Sequence, residues 1–366
     1  MKHIPELDSI RGLAAISVLW LHIDMTTSGA SWTAAKPEWF ILLEKASGIG
    51  SYGVDVFFVL SGFLITSLLL ERRRQPDYFR DFYWKRILRI QPVYFMHLVA
   101  AWFVFPKDHW YVLLALLFLV NFSNAFHLPA QVGPAWTLSI EEQFYLVWPT
   151  VVRRLDRHRV EQLAYLCIVG SVLLRGVMMG ALHRADLEYT FYRMDGLGFG
   201  ALLACQMDRT DWGRKPGNHW YNNQAVLIVA LIFEVAGFWV WGSIFWIKCL
   251  FLLSTNYLAY RLIRFCAMNT GSPLTAILRW RSLIFVGSIS YGLYMFHVFV
   301  LFGMDRWVLT QTGFTPSMFF VRALLIAAAS IAVSALSLHL IELPIRTLGR
   351  RSLKHRIPVQ GESLIP

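Results

Sequence analysis

YGVDVFFVLSGFLITSLLLERRR, residues 52–74, is an apolar run from 52 to 71 closed by Arg72-Arg73-Arg74. A helix needs about 20 predominantly apolar residues to cross a bilayer, and an arginine cluster at one end marks the cytoplasmic side. The pattern recurs outward in both directions. Apolar runs of spanning length lie near 10–27, 88–105, 161–180, 189–207, 222–241, 244–263, 283–302 and 318–341. The chain is 56% hydrophobic and 16% charged, with a mean hydropathy of +0.49. Soluble domains carry about 25% charged residues, so this composition needs a lipid-facing exterior. The net charge of +11 sits in short clusters between apolar runs, which excludes a nucleic-acid face and fits the positive-inside rule. Cys167, Cys205, Cys249 and Cys266 form no C-x-x-C pair, so neither a disulfide framework nor a zinc site is expected. Lys2 and Arg11 precede the first run as in a signal peptide. However, Glu6 and Asp8 stand in the leader and no small-residue cleavage site follows, so it reads as a retained span.

Charge sets the topology. The groups Arg72–Arg74, Arg153-Arg154 with Arg157 and Arg159, Arg209 with Arg214-Lys215, Arg261 with Arg264, Arg279 with Arg281, and Arg350-Arg351 with Lys354 read as cytoplasmic. The opposite loops hold little beyond Lys36, Lys45, Lys107 and Arg184. These sides agree only if residues 110–152 make one net crossing. That stretch holds two short runs, 110–122 and 138–152, and one of them is expected to be re-entrant or interfacial. Irregular backbone at membrane depth is tolerated only inside protein or beside a wet cavity, so 110–152 marks a site region. The expected fold is all-α: a polytopic transmembrane helical bundle of about ten crossings with both termini cytoplasmic. It forms one domain over 1–350 with a polar cytoplasmic tail over 351–366. No internal repeat is evident.

Ionisable residues inside spans are costly and tend to be functional or paired. His22 follows Arg11 by eleven residues, which returns to within about 20° of the same helix face, roughly 16 Å along the axis. One stripe thus carries a cytoplasmic-edge cation and a mid-membrane imidazole; the plainer reading is a core histidine and an anchoring arginine. Asp55 opens the next span from the far side, so it is expected near the depth of His22, where it could orient the ring, or else cap a helix. Arg86 and Arg89 share a face at the cytoplasmic edge and suit bidentate phosphate binding as well as anchoring. Ser139-x-x-Glu142 has the form of a capping box, which leaves Glu141 unexplained. Arg193 and Asp195 pair with each other or with neighbouring helices. Glu234 and Lys248 read as a structural pair across a Gly242-Ser243 turn. Tyr294 and His297 share a face that either lines a cavity or joins helices.

Together these motifs resemble the acyltransferase-3 family of membrane O-acyltransferases, from Ile4 to about Arg350. Leu7-Asp8-Ser9-Ile10-Arg11-Gly12-Leu13-Ala14-Ala15 through His22 resembles the family's opening. Gly53–Ile65 resembles its second-span signature, Arg86-x-x-Arg89 its paired arginines, and Trp136-Thr137-Leu138-Ser139-Ile140-Glu141-Glu142-Gln143-Phe144-Tyr145 its Glu-Glu element. The segments around Asp195 and from Tyr291 to His297 also fit. Thr137 stands where the family has Ser, and Phe296 where it has Trp.

The resemblance implies transfer of an acyl group, usually acetyl, from acetyl-CoA to a cell-surface or lipid-linked carbohydrate in a bacterial inner membrane. It also implies an essential His22 supported by Arg11, Arg86 and Arg89. No metal is called for, because a thioester is already activated. The esterase-like domain of longer relatives is not expected in this chain. On this reading the three arginines hold CoA phosphates, and the pantetheine arm presents its thioester to His22. His22 acts as base or carries the acyl group, with Asp55 orienting it. Glu141, the re-entrant region, Glu142, Asp195, Tyr294 and His297 serve the acceptor site. The competing classes are a glycolipid transporter or flippase, which would need no acyl-CoA, and a non-catalytic sensor or scaffold.

A single cysteine placed after Arg351 in a cysteine-free background is expected to resist membrane-impermeant maleimide in intact cells and to react after permeabilisation. Labelling from outside would reverse the charge-based topology.

Overall fold

The computed structural model describes residues 3–27, 36–105, 109–128, 133–181, 188–207, 224–240, 245–308 and 315–354. Lys107, Arg184, Arg209, Arg214, Lys215, the Gly242-Ser243 turn and the tail from residue 355 lie outside the described residues, as do the side chains of Lys248, Arg350, Arg351 and Lys354. The described residues form α1 (Pro5–Thr27), α2 (Glu38–Ser47), α3 (Tyr52–Arg72), α4 (Tyr78–Val104), α5 (His109–Leu116), α6 (Ala135–Arg154) and α7 (Arg157–Ala181). They continue with α8 (Thr190–Gln206), α9 (Gln224–Val240), α10 (Phe245–Met268), α11 (Arg281–Val308), α12 (Pro316–Ser337) and α13 (Leu343–Lys354). This is an all-α, polytopic membrane bundle. Among the described residues, five stretches are long and apolar enough to cross a bilayer: Glu38–Arg72, Tyr78–Val104, Arg157–Met178, Arg281–Met304 and Met318–Gly349. The four cysteines are free thiols.

Glycines set how closely the central helices approach. A Cβ on Gly12 of α1 would lie 2.8 Å from the Gly287 nitrogen of α11, and one on Gly287 would overlap the Asp8 carbonyl. Further along the same two helices the rings of His22 and His297 are 4.9 Å apart, so α1 and α11 run parallel. On the other side of the bundle, α3 and α8 interlock: a Cβ on Gly62 would overlap the Leu197 carbonyl, and one on Gly200 the Val59 carbonyl.

The helix before α3 alters the expected register with α1. α2, a 3-10 turn over Gly48–Ser51, and α3 form one continuous helical run. Ser47 donates to Asp24 at 2.7 Å, Gly50 packs on Ser17 and Leu21, and Gly53 packs on Ala14, Ser17 and Val18. Residues 47–50 therefore lie level with His22. Asp55 sits further down, toward Arg11, because at about 1.5 Å per residue each helical turn shifts the level by roughly 5 Å. The expected depth match between Asp55 and His22 is thus corrected.

The difficult stretch resolves into unequal parts. α5 has 8 residues, about 12 Å of helix, and is followed by a 3-10 turn over Val120–Phe126. Neither is long enough to cross. α6 has 20 residues, about 30 Å, which matches a hydrocarbon core. The irregular backbone is satisfied from inside the protein, as membrane depth demands. Tyr94 donates to the Ala115 carbonyl at 2.7 Å, and Gln143 Nε2 donates to the Phe118 carbonyl at 2.6 Å and to Asn121 Oδ1 at 3.1 Å. The capping-box reading of Ser139 and Glu142 does not hold. α6 begins at Ala135, and the Ser139 hydroxyl bonds back to the Ala135 carbonyl at 2.9 Å in the helix interior.

At the other end of the chain, a π-turn over Leu338–Glu342 joins α12 to α13. Pro344 lacks the N–H that would bond the Leu340 carbonyl, and its ring crowds that carbonyl, which widens the turn. α13 then folds onto α4, with Gly349 packed on Leu88 and its carbonyl accepting from Trp84 Nε1 at 3.4 Å.

Gly62→Val and Gly200→Val are expected to force α3 and α8 apart, at a cost of about 1–3 kcal/mol each, read as a lower apparent unfolding temperature in detergent. Gly170→Ala is the control, because a Cβ there meets nothing within 4 Å. It should be neutral or stabilise by up to ~1 kcal/mol.

Candidate active site

A cavity of about 100 Å³ lies between α1, α3, α4, α6 and α11. It is lined by Arg11, Ser61, Arg86, Arg89, Glu141, Tyr145, Tyr291 and Tyr294, with apolar walls from Val54, Phe57, Phe58 and Leu64. The three arginines that the family resemblance grouped thus meet in one place. Arg11 has a partner on its own helix, Asp8, at 3.5 Å. Arg86 lies 4.6 Å from the Tyr145 ring centre and 5.9 Å from that of Phe82, so two aromatic faces hold its guanidinium. Among the described residues neither Arg86 nor Arg89 makes an ion pair. Glu141 is the cavity's carboxylate, and its oxygens accept from Ser61 at 2.6 Å and Tyr145 at 3.0 Å. With Asp8 beside Arg11 and Glu141 in the lining, three guanidiniums still outnumber two carboxylates, leaving positive charge and donors that suit phosphate oxygens.

Tyr294 forms the wall between this cavity and the histidines. Its hydroxyl lies 3.0 Å from that of Thr137, and its ring centre is 6.0 Å from that of His297. Beyond it, His22 Nδ1–H donates to the Val18 carbonyl at 2.8 Å. A carbonyl can only accept, so Nδ1 carries the hydrogen and Nε2 is the basic nitrogen of the neutral ring. His22 is half-buried and His297 fully buried.

The family model described as an acyltransferase domain matches residues 4–339. The chain belongs to that acyltransferase family. Its relatives include the YrhL protein of Bacillus subtilis, 28% identical with 97% of this chain and 57% of that protein covered. The peptidoglycan O-acetyltransferase OatA of Listeria monocytogenes is 27% identical over 95% of this chain and 56% of its own length. The O-acetyltransferase OatA of Staphylococcus aureus is 25% identical over 95% and 58%. The chain therefore spans little more than half the length of these relatives. No solved structure matches it.

Within this chain the remaining expected site residues are dispersed. Asp55 does not orient His22: among the described residues no hydrogen bond joins them, and Asp55 instead pairs with Arg193 at 3.2 Å. Asp195, expected at the acceptor site, is fully buried against an equally buried Arg175 at 2.6 Å, and Arg175 also donates to the Tyr192 carbonyl. Arg193 and Asp195 thus reach neighbouring helices rather than each other. Glu141, expected to shape the acceptor site near the outer face, lies among the arginines. Glu142 keeps Oε1 buried without a hydrogen-bond partner. Glu234 accepts from Ser254 at 2.6 Å and Thr255 at 2.9 Å.

Several residues of this framework were not singled out by the sequence reading. Arg175, His97 and Arg322 are ionisable residues inside apolar runs, a signal that was available, and each is buried to within about 1%. Ser61 and Tyr145 sit inside quoted motifs but carry no charge to mark them.

Removing Arg175 strands Asp195 in a low-dielectric interior. Arg175→Met is expected to destabilise the protein by about 3–5 kcal/mol, and the double variant R175M/D195L should recover most of that. Thermal unfolding in detergent checks both.

Proposed function

We propose that this chain moves an acyl group, most simply acetyl, from acyl-CoA at the cytoplasmic face to a carbohydrate hydroxyl beyond the membrane. The observation that carries this reading is the joint lining of one cavity by Arg11, Arg86 and Arg89, with a basic imidazole beyond its Tyr294 wall, on the same helix as Arg11. The guanidiniums hold the phosphates of CoA, and its long arm carries the thioester toward His22. His22 Nε2 takes the proton of the acceptor hydroxyl, or attacks the thioester and carries the acyl group briefly. The acceptor oxygen ends bonded to the acyl carbon, the C–S bond breaks, and the proton leaves with the thiolate. Glu141, held by Ser61 and Tyr145, tethers the arginine cluster. Glu142 offers its unpartnered oxygen to an acceptor hydroxyl. Asp55 and Asp195, sealed by arginines, brace the helices that frame the site.

In this reading residues 1–350 form the transferase domain, with ten crossings in a bacterial cell membrane, both termini cytoplasmic and 351–366 a cytoplasmic tail. α6 supplies the crossing in the 110–152 stretch, while α5 and its 3-10 turn stay within one leaflet. The three relatives carry O-acetyltransferase names, two of them for peptidoglycan, so peptidoglycan glycan is the first acceptor to test.

The test uses the full chain in vesicles with radiolabelled acetyl-CoA and peptidoglycan fragments or other cell-surface glycans. His22→Gln is expected to assemble normally, bind acetyl-CoA and lose about 10²–10⁴-fold in turnover. Arg86→Ala and Arg89→Ala should raise the KM for acetyl-CoA more than they lower kcat. Near-normal turnover in His22→Gln would reject the base, and unchanged donor KM in both folded arginine variants would reject the phosphate site.

A further inference from the structure

Three histidines occupy neighbouring helices: His22 on α1, His97 on α4 and His297 on α11. In each, Nδ1–H donates to a backbone carbonyl, from His22 to Val18 at 2.8 Å, from His97 to Met295 at 2.8 Å and from His297 to Leu293 at 3.1 Å. All three therefore share one tautomer, with the lone pair on Nε2. They differ in what that lone pair meets. His97 Nε2 accepts from the Tyr111 hydroxyl at 2.8 Å. His297 is 1% exposed, and its Nε2 is buried with no hydrogen-bond partner. Its ring stands 4.9 Å from that of His22, tilted by 59°.

Two neutral imidazoles with both lone pairs on Nε2 have nothing to offer each other. One added proton changes this, because a protonated Nε2 becomes a donor to its neighbour. We propose that His22 and His297 form a single proton-sharing site, in which the proton that His22 takes from the acceptor hydroxyl is held between the two Nε2 atoms until it passes to the departing thiolate. The inference rests on the reading of His22 as the base. The O–H bond of the acceptor breaks, its oxygen bonds the thioester carbon, the C–S bond breaks and the proton ends on sulfur, so both rings return to neutral.

His297 acts through the Nε2 of His22, while the Val18 carbonyl holds Nδ1–H, the place a carboxylate takes in a catalytic triad. Among the described residues no carboxylate is hydrogen-bonded to either ring. Asp24 accepts from Ser47, and Asp55 pairs with Arg193. The other titratable or charged groups around the pair are His97, Tyr111 and Tyr294, together with Arg322 on α12. Its guanidinium donates to the Ile23 carbonyl at 3.1 Å and to Thr26 Oγ1 at 2.7 Å.

The test titrates the full chain, labelled with ring-¹⁵N histidine in nanodiscs, as the unaltered protein, His22→Gln and His297→Gln, with His297→Asn as a second substitution should His297→Gln fail to assemble. Removing either ring is expected to move the protonation midpoint of the other by about one pH unit or more, as for strongly interacting sites. In the acetyl-CoA assay His297→Gln should keep the donor KM, lower kcat about 10- to 100-fold and shift the acid limb of the pH–rate profile to lower pH, because a lone His22 holds its proton less tightly. Midpoints that do not respond to loss of the partner ring overturn the proposal, even where transfer is lost. Coupled midpoints with no acyl transfer to any acceptor support the shared site and reject the transferase reading of His22 instead.

Discussion

Gly12 and Gly287 let two parallel helices touch backbone to backbone, and the site inherits its dimensions from that contact. Ten residues beyond Gly12 is His22, and ten residues beyond Gly287 is His297. Equal steps along two α-helices rise equally, about 15 Å here, so above the touching glycines the two imidazoles stand level, with ring centres 4.9 Å apart. Because the contact is made of main chain, no side chain in it can repack to absorb a change. Leu283 and Val286 flank it on α11 and Asp8 on α1, which also keeps the Arg11 turn against the same neighbour. The distance from the arginine-lined cavity to the histidine pair is thereby a property of helix geometry rather than of loops.

The second seam does the same for the buried charges. Gly62 and Gly200 bring α3 against α8, and Asp55 consequently meets Arg193, whose guanidinium also lies 5.5 Å from the Phe58 ring centre. Arg175 reaches in from α7 to Asp195. Charges at this depth are tolerated when each has a partner and further hydrogen bonds or aromatic faces. Arg175 has the Tyr192 carbonyl, and Arg193 has Phe58 and Trp136. Glu142 Oε1 and His297 Nε2 are likewise buried without a hydrogen-bond partner, and among the described residues neither side chain makes an ion pair that would compensate.

The helical architecture was legible because an apolar run of spanning length has few alternatives in lipid, and the short runs at 110–122 and 138–152 were recognisable as different in kind. Arg11, Arg86 and Arg89, each read as lying at the cytoplasmic edge, line one cavity, whereas Glu141, expected near the outer face, lies among them. What failed depended on register between helices. Asp55 was placed level with His22 by treating its span as starting at Tyr52, whereas the helical run begins at Glu38 and carries residues 47–50 past the imidazole. Ser139 and Glu142 have the spacing of a cap, but the helix had already begun four residues earlier, at Ala135. Arg175 and Asp195 are twenty residues apart on successive helices, and nothing in a single sequence says that they point at each other.

The pairing of buried charges has an electrical consequence. An elementary charge carried across the membrane gains or loses about 2.3 kcal/mol per 100 mV. Asp55 with Arg193 and Arg175 with Asp195 each sum to zero and are locked between helices in contact. However the surrounding helices tilt, these pairs move no net charge through the field. These two pairs therefore add no net charge that a change in membrane voltage could drive from one face to the other.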